Sequence, residues 1–417
     1  MPTWKRACAA SPSWSRARER PFGFDSIELD WLRAKPGKKW QRTPGALAAW
    51  VADMDLPPAP VIVERLHAVV EAGDFGYPNW RGVGAGTPLR ELFVDRAARR
   101  YGWEIGDVHE LREFCDVMQA VLAVLHLCTE PGDGVILHTP AYPPFFEAIA
   151  ATRCRPVELP RRVEQAPGGS RFAFDVDALE QRLRDEPARV LLLCNPHNPT
   201  GRVFTRDELA RLADLAERHD LLIVADEIHA DLTYPPLAHV PIASLGPQVA
   251  ARTVTLHSAS KAFNLAGLRY AVAHVGAPWV RDRLAQVHSH MFGAMNLFAV
   301  EATTAAWSLG DEWLQAVVAH LDRNRRLLAD LLGAHLPDVA YTPPDATYLA
   351  WLDCRLLALE GQGLGDDPSQ HFRRHGIDLS AGPDFGAPGA GHVRLNMATS
   401  AAVLATIVEA MAASLTG

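Results

Sequence analysis

The sequence predicts an α/β fold built on a mainly parallel sheet, with a second, smaller domain, and three observations carry that expectation. Short apolar runs alternate with segments of helical periodicity between residues 189 and 257. Each run ends in a polar loop marked by Pro, Asn, Asp or Ser. At 417 residues and 48% hydrophobic content, the chain exceeds what one core holds and can fill two.

The elements follow in order. Val117 to Cys128 is apolar enough for a buried helix, and Asp116 before it is a good N-cap. Residues 161–170 are polar and carry Pro and Gly, which predicts an irregular connection. Arg189 to Cys194 predicts a buried strand that runs into the loop Asn195-Pro196-His197-Asn198-Pro199-Thr200-Gly201. Thr205 and Glu208 form a capping box, and Leu209, Leu212, Leu215 and Ala216 continue at helical spacing. Leu221 to Ala225 is a second strand that delivers Asp226 and His229, and Arg252 to Leu256 is a third that delivers Ser258 and Lys261. Residues 302–332 read as helical, with Trp313, Val317, Leu321 and Leu328 on one stripe. Residues 361–368 form another polar connection.

A strand–helix–strand crossover in a parallel sheet is right-handed and gathers ligands outside the carboxyl ends of its strands. Asn198, Asp226, His229, Ser258 and Lys261 all fall on that rim, and Arg269 follows closely. Taken singly, each has an ordinary role: turn residue, strand cap, packed histidine, loop hydroxyl, surface cation. Their joint order and spacing is what departs from the ordinary.

That combination resembles the fold type I pyridoxal phosphate enzymes related to aspartate aminotransferase, in the class I/II aminotransferase superfamily. Within it, Trp50-Val-Ala-Asp-Met-Asp55, Cys194-Asn-Pro-His-Asn-Pro-Thr-Gly201, Asp226-Glu-Ile-His-Ala-Asp231 and Lys261-Ala-Phe-Asn-Leu-Ala-Gly267 are similar to the cystathionine β-lyase-like carbon–sulfur lyases of the MalY/PatB group. The resemblance runs from about Phe22 to near residue 410. It implies a large domain with a mainly parallel seven-stranded sheet over residues 61–300. It also implies a smaller α+β domain made from residues 22–60 and 301–417.

The resemblance further implies site roles. Lys261 would form a Schiff base with pyridoxal 5′-phosphate and later act as base, and Asp226 would face the pyridine nitrogen. Asn198 and His229 would bind the ring oxygen, and Tyr142, in Thr139-Pro-Ala-Tyr-Pro-Pro-Phe145, would stack on the ring. Ser258, Arg269 and the backbone of Val117 and Met118 would hold the phosphate, with Tyr77 reaching it from a second subunit of a homodimer. Arg394 would grip the substrate α-carboxylate, with Ala52 in the loop over it. Asp116 departs from the pattern, since the family usually has glycine there and a carboxylate repels phosphate. The reaction implied is β-elimination from a cysteine S-conjugate or a cystathionine-like thioether to thiol, pyruvate and ammonia, in a specialised pathway. Transamination and decarboxylating deamination are alternatives on the same fold, and a regulatory binding protein without turnover is one of another class.

Composition excludes other classes. A net charge of −8 gives no general affinity for nucleic acid, and no long apolar run predicts a membrane span. Six cysteines without a Cys-x-x-Cys pair predict reduced thiols and a cytoplasmic location. Residues 1–21 read as a flexible basic extension. Gly82-Val-Gly84-Ala-Gly86 lacks the preceding strand of a dinucleotide loop, and His371 with His375, lacking a third metal ligand, reads as a surface pair.

Overall fold

A computed structural model of the chain describes residues 22–80, 86–160, 162–166, 169–173, 175–359 and 362–416. The expected basic extension and most of the glycine-rich segment at 82–86 lie outside the described residues.

The larger sheet has seven strands: β1 (Leu111–Phe114), β2 (Gly134–Thr139), β3 (Arg155–Pro160), β4 (Val190–Cys194), β5 (Leu222–Asp226), β6 (Thr253–His257) and β7 (Ala271–Val275). Their order is β1-β7-β6-β5-β4-β2-β3, with β2 to β6 parallel and β7 antiparallel to both its neighbours. Strands buried on both faces must be apolar throughout, and every residue of β4 and β5 is buried. Alternate residues serve opposite layers. Leu191, Leu193 and Ile223 pack with Leu209, Leu212 and Leu215, whereas Val190, Leu192 and Val224 pack with Val121, Val124 and Leu125. Each aliphatic side chain so buried contributes about 1.5–3 kcal/mol.

Among the helices are α1 (Pro60–Ala72), α2 (Leu89–Tyr101), α3 (Val117–Cys128), α4 (Arg206–Arg218), α5 (Leu297–Leu309) and α6 (Asp311–His335). In α4 both halves of the expected capping box form. In α3 the Asp116 side chain accepts from the Gln119 amide, as an N-cap does.

The smaller sheet is antiparallel, ordered β8 (Ala340–Tyr341), β9 (Leu349–Asp353), β11 (His392–Asn396), β10 (Ser380–Ala381), and α6 packs with α7 (Ala401–Ala413) beside it. The amino-terminal segment joins this part through a parallel pairing of Leu47–Ala48 with Ile377–Asp378.

Three expectations are corrected. The helix expected over 302–332 is two helices that meet at Gly310, where a Cβ would sit 2.6 Å from the Ala306 carbonyl oxygen and 2.6 Å from the Phe263 ring. The connection at 161–170 contains strands, Arg162–Ala166 paired antiparallel with Gly169–Ala173, because backbone pairing can form a hairpin without an alternating apolar pattern. His371 is buried rather than superficial, with its ring nitrogen on the Ser414 carbonyl; among the described residues no cluster suits a metal ion.

Candidate active site

Parallel register sets the site. Cys194 pairs with Asp226 and Asp226 with Leu256, so the loops after β4, β5 and β6 leave the sheet side by side. The first loop turns at Gly201, whose φ of +68° and 2.1 Å approach of a would-be Cβ to Pro344 admit only glycine. A cavity of about 310 Å³ lies over these ends, and Asn198, Asp226, His229, Lys261, Arg269, Tyr142, Ala52, Val117 and Met118 all line it.

The loop at 50–55 contributes Ala52 to the cavity wall and is tied down from several directions. Asn396 donates to the Val51 and Asp53 carbonyls at 2.7 Å each, and Asn264 brackets Met54 at both backbone groups. Trp40 and Lys39 hold the Asp55 carboxylate at 2.7 and 3.0 Å. Fixed in this way, the Ala52 carbonyl accepts from the Lys261 amine at 3.1 Å and from the Tyr348 hydroxyl at 2.8 Å.

Burial lowers the Lys261 pKa, and Arg394 adds to that, whereas Asp53 and Asp226 oppose it. A neutral, nucleophilic amine is thereby made more accessible. Burial raises the Asp226 pKa to about 6 against the Ile228 amide and Lys261, so its carboxylate favours a cationic partner. The His229 pKa is held well below the ordinary value by burial, then by Lys261 and Arg394, and its Nδ1 has no hydrogen-bond partner among the described residues.

Arg394 is buried, which lowers its pKa to about 10. It donates to Asn198 Oδ1 at 2.9 Å, to the Trp50 carbonyl at 3.0 Å and to Ser380 Oγ at 3.2 Å. Its Nε is buried without a partner among the described residues. Arg269 forms an ion pair with Asp116, whose other oxygen accepts from the Gln119 amide at 2.7 Å. The carboxylate expected to cap the helix and to repel a phosphate is thus also the counter-ion of Arg269.

Three expected residues are not brought to the cavity wall: Arg394 is bonded to the wall residue Asn198, and Ser258 and Tyr77 are placed elsewhere. The Ser258 hydroxyl caps the turn Ala259–Ala262 and donates to the Tyr270 carbonyl at 2.6 Å, while Ser260 faces the cavity instead. Tyr77 is fully exposed and does not line it. Cys194, Ile228, Ser260, Ala266 and Tyr270 line the cavity without having been singled out, and Tyr348 is bonded to the wall residue Ala52. Cys194, Ile228 and Ala266 lie inside the motifs quoted for the resemblance, and the doubled serine in Ser258-Ala-Ser260-Lys261 is the signal that could have found Ser260.

Beneath Asp226, Glu227 is fully buried and accepts from the ring nitrogens of His239 and His257 at 2.8 and 3.1 Å and from the Ile242 amide at 3.0 Å. Although burial raises its pKa, these partners together hold it at about 2. Asp231 is tied to Arg96 and Tyr101, each at 2.7 Å.

Residues 113–411 match the class I and II aminotransferase family. A protein of Mycobacterium tuberculosis is 37% identical over 417 residues, covering 95% of this chain and 98% of its own length. The cystathionine β-lyase PatB of Bacillus subtilis is 32% identical, with 93% of this chain and 96% of PatB covered. The pyridoxal phosphate-bound carbon–sulfur lyase of Staphylococcus hominis superposes with a TM-score of 0.84 at 28% identity, covering 94% of this chain and 98% of that one. The chain belongs to the class I and II aminotransferase family. Within it, the chain is a pyridoxal phosphate-dependent enzyme of the cystathionine β-lyase-like carbon–sulfur lyase group.

The donor set fits that cofactor: an amine for its aldehyde, a buried carboxylate for its ring nitrogen and an orphaned histidine nitrogen among the wall residues. No helix among the described residues is long and apolar enough to cross a membrane.

Proposed function

We propose that the chain cleaves the Cβ–S bond of a cysteine thioether, either an S-conjugate or a cystathionine-like amino acid, and releases thiol, pyruvate and ammonia. The observation that carries this reading is the placement of the Lys261 amine and the Asp226 carboxylate on one cavity wall, with the buried Arg394 guanidinium bonded to the wall residue Asn198. PatB and the Staphylococcus hominis enzyme, which carry lyase names, support the choice of bond.

In this reading Arg394 binds the substrate α-carboxylate, using the Nε that lacks a partner, and its tie to Asn198 orients it. The bound cofactor supplies a sink for the electron pair of the Cα–H bond. Asp226 would keep its charge next to the cofactor ring, Asn198 and His229 would hold the ring oxygen, and Tyr142 would cover the ring face. Arg269, Val117 and Met118 would hold the phosphate, with Ser258 supporting that turn. Lys261 Nζ takes the α-proton; the electron pair returns to form the Cα–Cβ double bond as the Cβ–S bond breaks, and the sulfur leaves as thiolate. Water then hydrolyses the released enamine to pyruvate and ammonium. The Ala52 carbonyl holds the Lys261 amine on the reacting side.

The same reading divides the chain into a larger domain over about 61–300 and a smaller one from 22–60 and 301 onward. Because residue 301 falls inside α5, we place the break at Gly310. It also takes the active form as a homodimer in which the exposed ring of Tyr77 reaches the neighbouring site.

The test is to incubate the holoenzyme with S-substituted cysteines without any keto acid and to identify products by mass spectrometry. Continuous release of thiol with pyruvate supports the proposal. A single round that ends with the cofactor in its amine form and a keto acid retaining sulfur would make the chain an aminotransferase instead.

A further inference from the structure

Asp116 sits among the groups that surround the expected phosphate position. It lines the same cavity as Lys261, next to Val117 and Met118 at the start of α3. One carboxylate oxygen takes the Gln119 amide at 2.7 Å and the other takes the Arg269 guanidinium. A helix amino-terminal amide and an arginine fork are the two donor types that a phosphate monoester uses. The side chain therefore satisfies both, as an internal anion.

The remaining cations do not compensate. Lys261 and Arg269 are the only Lys or Arg residues among the described residues lining the cavity, and Lys261 lies beside Ala52. Arg90, nearby on α2, is paired with Glu113 at 3.0 Å. The Ser258 hydroxyl is engaged by the Tyr270 carbonyl. A phosphate that enters must share or displace the contacts Asp116 makes, and it meets a like charge in doing so.

We propose that Asp116 competes with the cofactor phosphate for Arg269, and so makes this chain a weak, exchangeable holder of its cofactor. Occupancy then follows the free cofactor concentration in solution. The residue acts on phosphate affinity and not on the reacting carbon.

Asparagine is as good an N-cap as aspartate, so Asp116→Asn removes the charge and keeps the start of α3; Asp116→Ser is a second cap-preserving variant. The experiment strips wild type and both variants of cofactor, then titrates each with pyridoxal 5′-phosphate and separately with pyridoxal, reading binding by absorbance and intrinsic fluorescence. Both variants should bind the phosphorylated form at least about tenfold more tightly, with pyridoxal affinity unchanged. Inorganic phosphate should also become a better competitor of cofactor binding to the variants. Unchanged or weaker binding of the phosphorylated form would overturn the proposal. An equal gain for pyridoxal would overturn it too, because the effect would then lie outside the phosphate contacts.

Discussion

Lys261 and Tyr348 donate to the same acceptor, the carbonyl oxygen of Ala52, at 3.1 and 2.8 Å. One backbone oxygen thus places the reactive amine and couples it to the loop at 50–55. Tyr348→Phe leaves that oxygen with Lys261 alone. A lost hydrogen bond is worth about 1 kcal/mol, so kcat should fall roughly fivefold with KM little changed. Steady-state kinetics check this; a change in KM alone would show that Tyr348 serves binding and not the amine.

Arg394 has one prediction specific to the carboxylate. Arg394→Ala should lower kcat/KM for L-cysteine thioethers by about 10²-fold, the size of a lost charged hydrogen-bond pair. The corresponding cysteamine thioethers, which have no carboxylate, should be processed equally by wild type and variant. A deficit of the same size on both substrates would mean that the variant has lost structure.

Asp226 is raised to about 6 from an ordinary 3.8, mainly by burial. The folded state therefore holds its proton more tightly than the unfolded state, and stability falls as pH rises from about 4 to 6. About two units correspond to roughly 3 kcal/mol. Cofactor-free Asp226→Asn should then resist urea better than cofactor-free wild type at pH 8, with the advantage gone at pH 4. Urea midpoints at the two pH values decide it, and an equal midpoint at pH 8 would contradict the assignment.

Glu227 has the opposite sign. Its folded pKa of about 2 lies below the ordinary 4.5, so its stabilisation is complete above about pH 4.5 and is lost as pH falls toward 2. Glu227→Gln should be less stable at pH 7 by a few kcal/mol and should lose less of its remaining stability on acidification through that window. Urea unfolding at half-unit pH steps gives the two slopes; parallel slopes would show that the His239 and His257 contacts are not what acid breaks.

Much of the site was legible because its signals are local. β4, β5 and β6 are short apolar runs closed by Pro, Asn, Asp or Ser, so Asn198, Asp226 and Lys261 could be placed on one rim before the sheet order was known. The capping box of α4 and the N-cap of α3 are likewise encoded within four residues. What escaped depends on residues far apart in the chain. The Lys261 and Tyr348 contacts to Ala52 span 209 and 296 positions, and no periodicity carries such information. The Asp116–Arg269 pair was missed for the same reason: Asp116 could be seen as out of pattern, but not as bonded. Ser258 and Ser260 differ by one turn of chain direction, which only the folded backbone resolves. The hairpin Arg162–Ala166 with Gly169–Ala173 rests on backbone pairing, and its polar sequence carries no alternating apolar pattern.

The most direct test is one progress curve: thiol and pyruvate measured together from an S-substituted L-cysteine, without keto acid, for wild type and Lys261→Ala. Wild type should release the two products one to one over many turnovers, and the variant should be slower by at least about 10³-fold. Thiol without pyruvate, product limited to one equivalent per site, or a Lys261→Ala variant as fast as wild type would each contradict β-elimination driven by Lys261.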